Sequence, residues 1–128
     1  MVDSADQVAS DVQAKWAAAF SRLDAEALSS LYSRHGFLFG SNPRLYRGKD
    51  GAKAYFSGLP RWQSQSVKFS DIVTEPAGTE VVSMAGTANF VFDEQTLTVK
   101  ITWVIVREDG DWKIVSHHVS SKTPLIAQ

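Results

Sequence analysis

His117 and His118 stand side by side near the C-terminal end, and His35 lies far from both. Neighbouring residues of a strand point to opposite faces, so the pair cannot close on one ion. No His-x-His or His-x3-His spacing exists, and no metal site is expected. His118 taken alone is the candidate for chemistry. In the hollow of a sheet beside Ser116, Ser120 and Trp103, a neutral imidazole serves as hydrogen-bond donor, general acid or general base. It serves equally as a buried ring tied to a neighbouring hydroxyl or carbonyl. A carboxylate partner would strengthen the catalytic reading, yet most of the 14 acidic residues fall at helix starts or in turns. Asp71 is the one inside an apolar strand register, beside Val67, Phe69 and Val73, with its face unresolved.

The aromatic set Trp16, Phe20, Phe39, Tyr55, Phe56, Trp62, Phe90 and Trp103 is suited to lining a small apolar cavity or to filling a core. Trp62 follows Leu59-Pro60-Arg61 in a stretch rich in Gln and Ser, which reads as a lid or rim. Arg44, Arg47 and Arg61 could draw an anionic group to the same end, or simply be solvated. Gly36, Gly40, Gly48 and Gly51 do not form G-x-G-x-x-G after a strand, and no Ser-His-Asp order is present. No cofactor is expected.

These side chains need elements to position them. Val8, Val12, Trp16, Phe20 and Leu23 form one apolar stripe at helical spacing, and Ser4 with Gln7 has the form of a capping box. Asp24 is a plausible N-cap for a second short helix ending around Arg34–Gly36. A third helix is expected from about Asp50 to Ser57, stopped by Gly58-Leu59-Pro60. Phe37–Gly40 and Leu45–Arg47 are short strand candidates. Val67–Thr74, Glu80–Phe92, Thr96–Arg107 and Trp112–Ser121 follow as long strands, separated by turn compositions short enough for antiparallel hairpins.

Pairing Phe92 with Leu97 and Arg107 with Trp112 places one set of residues on the inner face. It comprises Met84, Gly86, Ala88, Phe90, Val99, Ile101, Trp103, Ile105, Ile114, Ser116, His118 and Ser120. On this register Gly86 and Ala88 lie opposite Trp103 and Ile101 and leave room near the indole. Thr98, Lys100, Thr102, Val104, Val106, Val115, His117 and Val119 face outward. The predicted architecture is α+β, with three N-terminal helices packed on a curved, mostly antiparallel sheet.

With 128 residues, 44% hydrophobic and 21% charged, the chain fits a single domain with a core at about 5–124. Thirteen basic against 14 acidic residues give a net charge of −1, which argues against a nucleic-acid partner. No apolar run approaches a membrane span, and the start Met1-Val2-Asp3-Ser4-Ala5-Asp6 is acidic, unlike a secretory leader. A cytoplasmic location without membrane contact is the expectation. With no cysteine, disulfides and thiolate chemistry are excluded.

The final run Asp109-Gly110-Asp111-Trp112-Lys113-Ile114-Val115-Ser116-His117-His118-Val119-Ser120-Ser121 resembles the NTF2-like, or SnoaL-like, superfamily. Within it, the chain looks like small bacterial proteins related to the association domain of calcium/calmodulin-dependent kinase II, whose last strand reads Asp-Gly-x-Trp-x-Ile and then His-His-x-Ser-Ser. Leu31-Tyr32, the Gly48-to-Phe56 segment and the meander fit the same template. The resemblance implies a cone of helices over a concave sheet, a pocket at the wide end, and a homodimer joined through the outer sheet face. The superfamily includes ketosteroid isomerases, whose reaction needs a carboxylate base and an oxyanion hole. Aligned on Leu31-Tyr32 and Asp109-Gly110, the base position falls at Gly40-Ser41, the first-helix tyrosine on Trp16 and the oxyanion aspartate on Trp103. Isomerisation of that type is therefore not expected. The leading expectation is a small organic ligand in a largely apolar pocket, carrying one polar or anionic group and held by Trp16, Tyr32, Tyr55, Trp62, Trp103, Ser116 and His118. A cofactor-free hydrolase, dehydratase or isomerase using His118 as acid and base is the second expectation. An oligomerisation module without ligand is the third.

Overall fold

The computed structural model describes residues 4–127; residues 1–3 of the acidic start and Gln128 lie outside them. The order of elements is α1 (Ala5–Ser21), α2 (Ala25–Ser29), β1 (Tyr32–Phe39), β2 (Leu45–Arg47), α3 (Gly48–Ser57), β3 (Gln65–Gly78), β4 (Val81–Phe92), β5 (Gln95–Glu108) and β6 (Asp111–Ser121). The strands form one six-stranded sheet in the order β2-β1-β6-β5-β4-β3. β1 runs parallel to β6, and every other neighbour is antiparallel.

Helix α1 starts where Ser4 Oγ accepts the Gln7 backbone N–H at 3.1 Å, satisfying one of the free first-turn donors. Its stripe of Val8, Val12, Trp16 and Phe20 is buried against the sheet. Asp24 caps α2 by accepting the Ala27 N–H at 3.0 Å. That helix ends at Ser29, earlier than expected, and residues 32–39 belong to strand β1. Buried Tyr32 and Leu38 on β1 pack inward while Phe37 and Phe39 remain exposed.

Two hairpins set the concave face. Asp109 and Gly110 both have positive φ (53° and 85°) in a two-residue turn, and Arg107 pairs with Trp112 as expected. Asp93 and Glu94 also have positive φ (46° and 77°), so that turn too is two residues long. Phe92 consequently pairs with Gln95 and Phe90 with Leu97, a shift of two from the expected register. An even shift keeps every residue on its predicted face, so Met84, Ala88, Val99, Ile101, Trp103 and Ile105 are buried as expected. It changes the neighbours: Trp103 lies opposite Met84, and Gly86 lies opposite Ile101. The room expected beside Gly86 is occupied by Ile72 at a β3 bulge, where Asp71 takes φ 54° and is exposed.

An odd shift occurs in β6. Ile105 pairs with Ile114 but Val104 pairs with Ser116, so Val115 is an extra residue on β6. Beyond that bulge every side chain changes face. His117, opposite Trp103, is buried, while Ser116 and His118 lie opposite Val104 and Thr102 on the outer face. The inward placement expected for Ser116, His118 and Ser120 is thereby corrected, as is the outward placement of His117 and Val119.

Candidate functional site

A cavity of about 470 Å³ opens between α1, α3, the 58–64 loop and the concave side of β4, β5 and β6. Its deep wall is buried: Trp16 and Phe20 from α1, Tyr55 and Phe56 from α3, Val99 from β5 and His117 from β6. Its mouth is formed by Ser41, Pro60, Leu97, Ser120 and Ser121, which are exposed, with half-buried Trp62 beside them. No Asp, Glu, Lys or Arg is among the lining residues.

Trp16 is the hub of the apolar part. It stacks on Phe20 with centroids 5.2 Å apart, and Phe56 and Phe90 meet it edge-on at 5.9 and 6.1 Å. At the mouth, Trp62 stacks on Phe92 at 4.1 Å, and Arg61 anchors the same loop by donating from Nη1 to the Leu23 carbonyl at 3.2 Å. Tyr55 fixes the opposite rim. Its hydroxyl accepts the Ser41 N–H and donates to Ser41 Oγ, both at 2.8 Å. Gly40 is required there because a Cβ would collide with the Tyr55 ring.

Beneath the apolar wall runs a short polar network. Trp16 Nε1–H donates to Tyr32 Oη at 2.9 Å, Tyr32 Oη lies 2.8 Å from His117 Nδ1, and Trp103 Nε1–H donates to the same Nδ1 at 3.0 Å. An indole nitrogen can only donate, so His117 Nδ1 must accept. The Tyr32 hydroxyl receives from Trp16 and passes its own proton toward Nδ1. The neutral ring therefore carries its proton on Nε2. Burial, with a smaller contribution from like-charge repulsion by the nearby His118, drives the His117 pKa down to about 3. Burial likewise pushes the Tyr32 phenol well above its ordinary value. Both groups stay neutral across the physiological range.

Of the seven predicted contact residues, Trp16, Tyr55 and Trp62 line the cavity. Tyr32 and Trp103 stand behind His117 as its hydrogen-bond partners and are not among the lining residues. Ser116 and His118 are on the other side of the sheet. His118 packs near Phe39 at 5.7 Å and borders a shallow outer depression with Lys100 and Thr102. Chemistry in the cavity cannot run through it. Neither Arg44, Arg47 nor Arg61 lines the cavity: Arg44 lies over the Tyr46 ring and Arg47 over Phe37. His117, Ser41, Val119 and Ser121 are among the lining residues that sequence reasoning missed. The signal for β6 was its composition. A straight strand would have buried Ser116, His118 and Ser120, whereas a bulge buries one histidine and partly buries Val119.

Among the described residues no three His, Asp or Glu side chains converge to hold a metal ion. No described helix is long and apolar enough to cross a membrane.

A helix-backed concave sheet with an internal cavity defines a cystatin-like, NTF2-like architecture. The chain belongs to the SnoaL-like domain family, whose model matches residues 10–124. Among solved structures it is similar to a candidate calcium/calmodulin dependent protein kinase II association domain from Xanthomonas campestris (TM-score 0.83, 16% identity, covering 96% of this chain and 91% of that one). It is also similar to a candidate scytalone dehydratase from Novosphingobium aromaticivorans (TM-score 0.82, 13% identity, covering 92% and 84%). An NTF2-like protein of unknown function from Pseudomonas putida has a TM-score of 0.79 at 14% identity, covering 95% and 91%. At these identities the likeness is one of fold. No functionally curated protein matches the sequence.

Proposed function

We propose that the protein binds a small, largely apolar organic molecule in the cavity of its cone. The observation that carries this reading is a cavity of about 470 Å³ whose deep wall is aromatic and aliphatic except for one imidazole. That size lies within the usual range for small-molecule sites, roughly 300–1,000 Å³, as does its mixture of apolar lining and few polar groups. Binding is favoured over turnover because the cavity lacks a proton acceptor or donor pair. His117 Nδ1 is occupied by two donors, its protonation is disfavoured, and no carboxylate lines the space. An anionic ligand group is disfavoured because burying a charge without a partner is costly. The enzymatic reading of the dehydratase neighbour therefore has no support in this chain's own side chains.

Titration with 2-ethylnaphthalene, followed by tryptophan fluorescence, tests the proposal. Saturable quenching is expected, with loss of at least tenfold in affinity in Val99→Trp, which fills the space without disturbing the polar network. Linear quenching, or equal affinity in the variant, contradicts it.

We also propose that two copies pair through the outer sheet face. Exposed Phe37 (46%) and Phe39 (40%) beside partly buried Val104 and Val115 support this, since such a run of apolar side chains is suited to a partner surface.

A further inference from the structure

One nitrogen of the buried imidazole has no partner among the described residues. His117 Nδ1 is taken by Tyr32 and Trp103, and Nε2 makes no hydrogen bond among the described residues. Only one fully buried side-chain polar atom lacks a partner among the described residues, and it is Gln65 Oε1. His117 Nε2 must therefore touch accessible space, and the space His117 borders is the cavity. Trp103 makes the tautomer one-sided: with an indole N–H aimed at Nδ1, a proton there would face another donor. Nε2 is thus held as an N–H donor at the inner end of an otherwise apolar chamber. Buried donors are satisfied in folded proteins, and leaving one without a partner is costly.

Resting on the binding reading above, we infer that the cavity selects neutral ligands with a hydrogen-bond acceptor, of the carbonyl type, at the end that enters first, and that His117 Nε2–H is the group that reads it. A ligand of the same shape without an acceptor leaves the donor unsatisfied. A carboxylate satisfies it but brings an uncompensated charge into a chamber lined by no cationic side chain. A ligand whose inner end only donates meets N–H against N–H. Specificity thus comes from tautomer control by a second-layer indole, with Tyr32 and Trp103 acting as positioning residues.

Three probes of one ring size separate the possibilities: 2-acetylnaphthalene, 2-ethylnaphthalene and 2-naphthoate. The ketone is expected to bind about five- to tenfold more tightly than the hydrocarbon, the worth of one hydrogen bond to a fixed donor. The naphthoate is expected to bind at least tenfold more weakly than the ketone. In His117→Asn the ratio of ketone to hydrocarbon affinity falls to about one. In case that variant does not fold, 15N-histidine spectra of the unsubstituted protein supply an independent readout. Nδ1 of His117 should resonate as unprotonated and Nε2 as protonated, and the ketone should shift the Nε2 signal more than the hydrocarbon does. Equal affinity for ketone and hydrocarbon, preference for the naphthoate, or a proton on Nδ1 overturns the inference while saturable hydrocarbon binding leaves the cavity reading standing. Failure of all three probes to bind overturns both.

Discussion

His117 is held neutral by its surroundings, and that has a consequence for stability. Its folded pKa of about 3 lies below the ordinary imidazole value of 6.5. Between those values the unfolded chain takes up a proton that the folded chain refuses, so stability rises with pH across the window. The contribution is complete above about pH 6.5 and is lost as the pH falls toward 3. A slope of about 1.4 kcal/mol per pH unit is expected between pH 6 and 4, read by denaturant unfolding. His117→Asn should flatten it. Glu108, held below the ordinary carboxylate value by the Ser33 hydroxyl, adds its own acid sensitivity only at the lower end of that range. A wild-type slope that survives the substitution contradicts the assignment. At this scale the sequence was partly legible. Trp16, Tyr55 and Trp62 could be recognised as cavity aromatics because bulky rings at apolar positions have few other places to go. The roles of Tyr32 and Trp103 depend on two polar tips from distant segments meeting at one nitrogen, which no local pattern encodes.

Between elements, the decisive events are single residues of register. The Asp109-Gly110 hairpin was readable because Asp-Gly is suited to two consecutive positive φ angles. Asp93-Glu94 adopts the same conformation without a glycine, and the register there differs by two from the expected one. The Val115 bulge carried the larger cost, since a displacement of one exchanges His117 and His118 across the sheet. A pair of glycines tests the close approaches on which these elements depend. Gly110→Ala meets open space and only an unfavourable φ of 85°, so a loss of about 1 kcal/mol is expected. Gly40→Ala drives Tyr55 off the β1–β2 turn and should cost about 1–3 kcal/mol while loosening the rim. Thermal melts of the two variants check the order; equal losses contradict the role given to Tyr55.

Over the whole molecule, the α+β architecture and its inner apolar face followed from long alternating strands and one clear helical stripe, and the resemblance carried by the last strand supplied the cone. The chamber itself is a property of how α1, α3 and the 58–64 loop close over the sheet, a matter of volumes left unfilled that hydrophobic pattern does not report. Pairing through the outer face is tested by sedimentation equilibrium. Phe37→Glu is expected to convert a dimer to a monomer by placing charge on that face, and a monomer in the unsubstituted protein contradicts the proposed pairing. The central claim is met most directly by a crystal structure of the protein grown with 2-acetylnaphthalene. The rings should lie among Trp16, Phe20 and Phe90 with the carbonyl oxygen about 2.9 Å from His117 Nε2. Ligand found on the outer face near His118, or an empty chamber at saturating ketone, would contradict it.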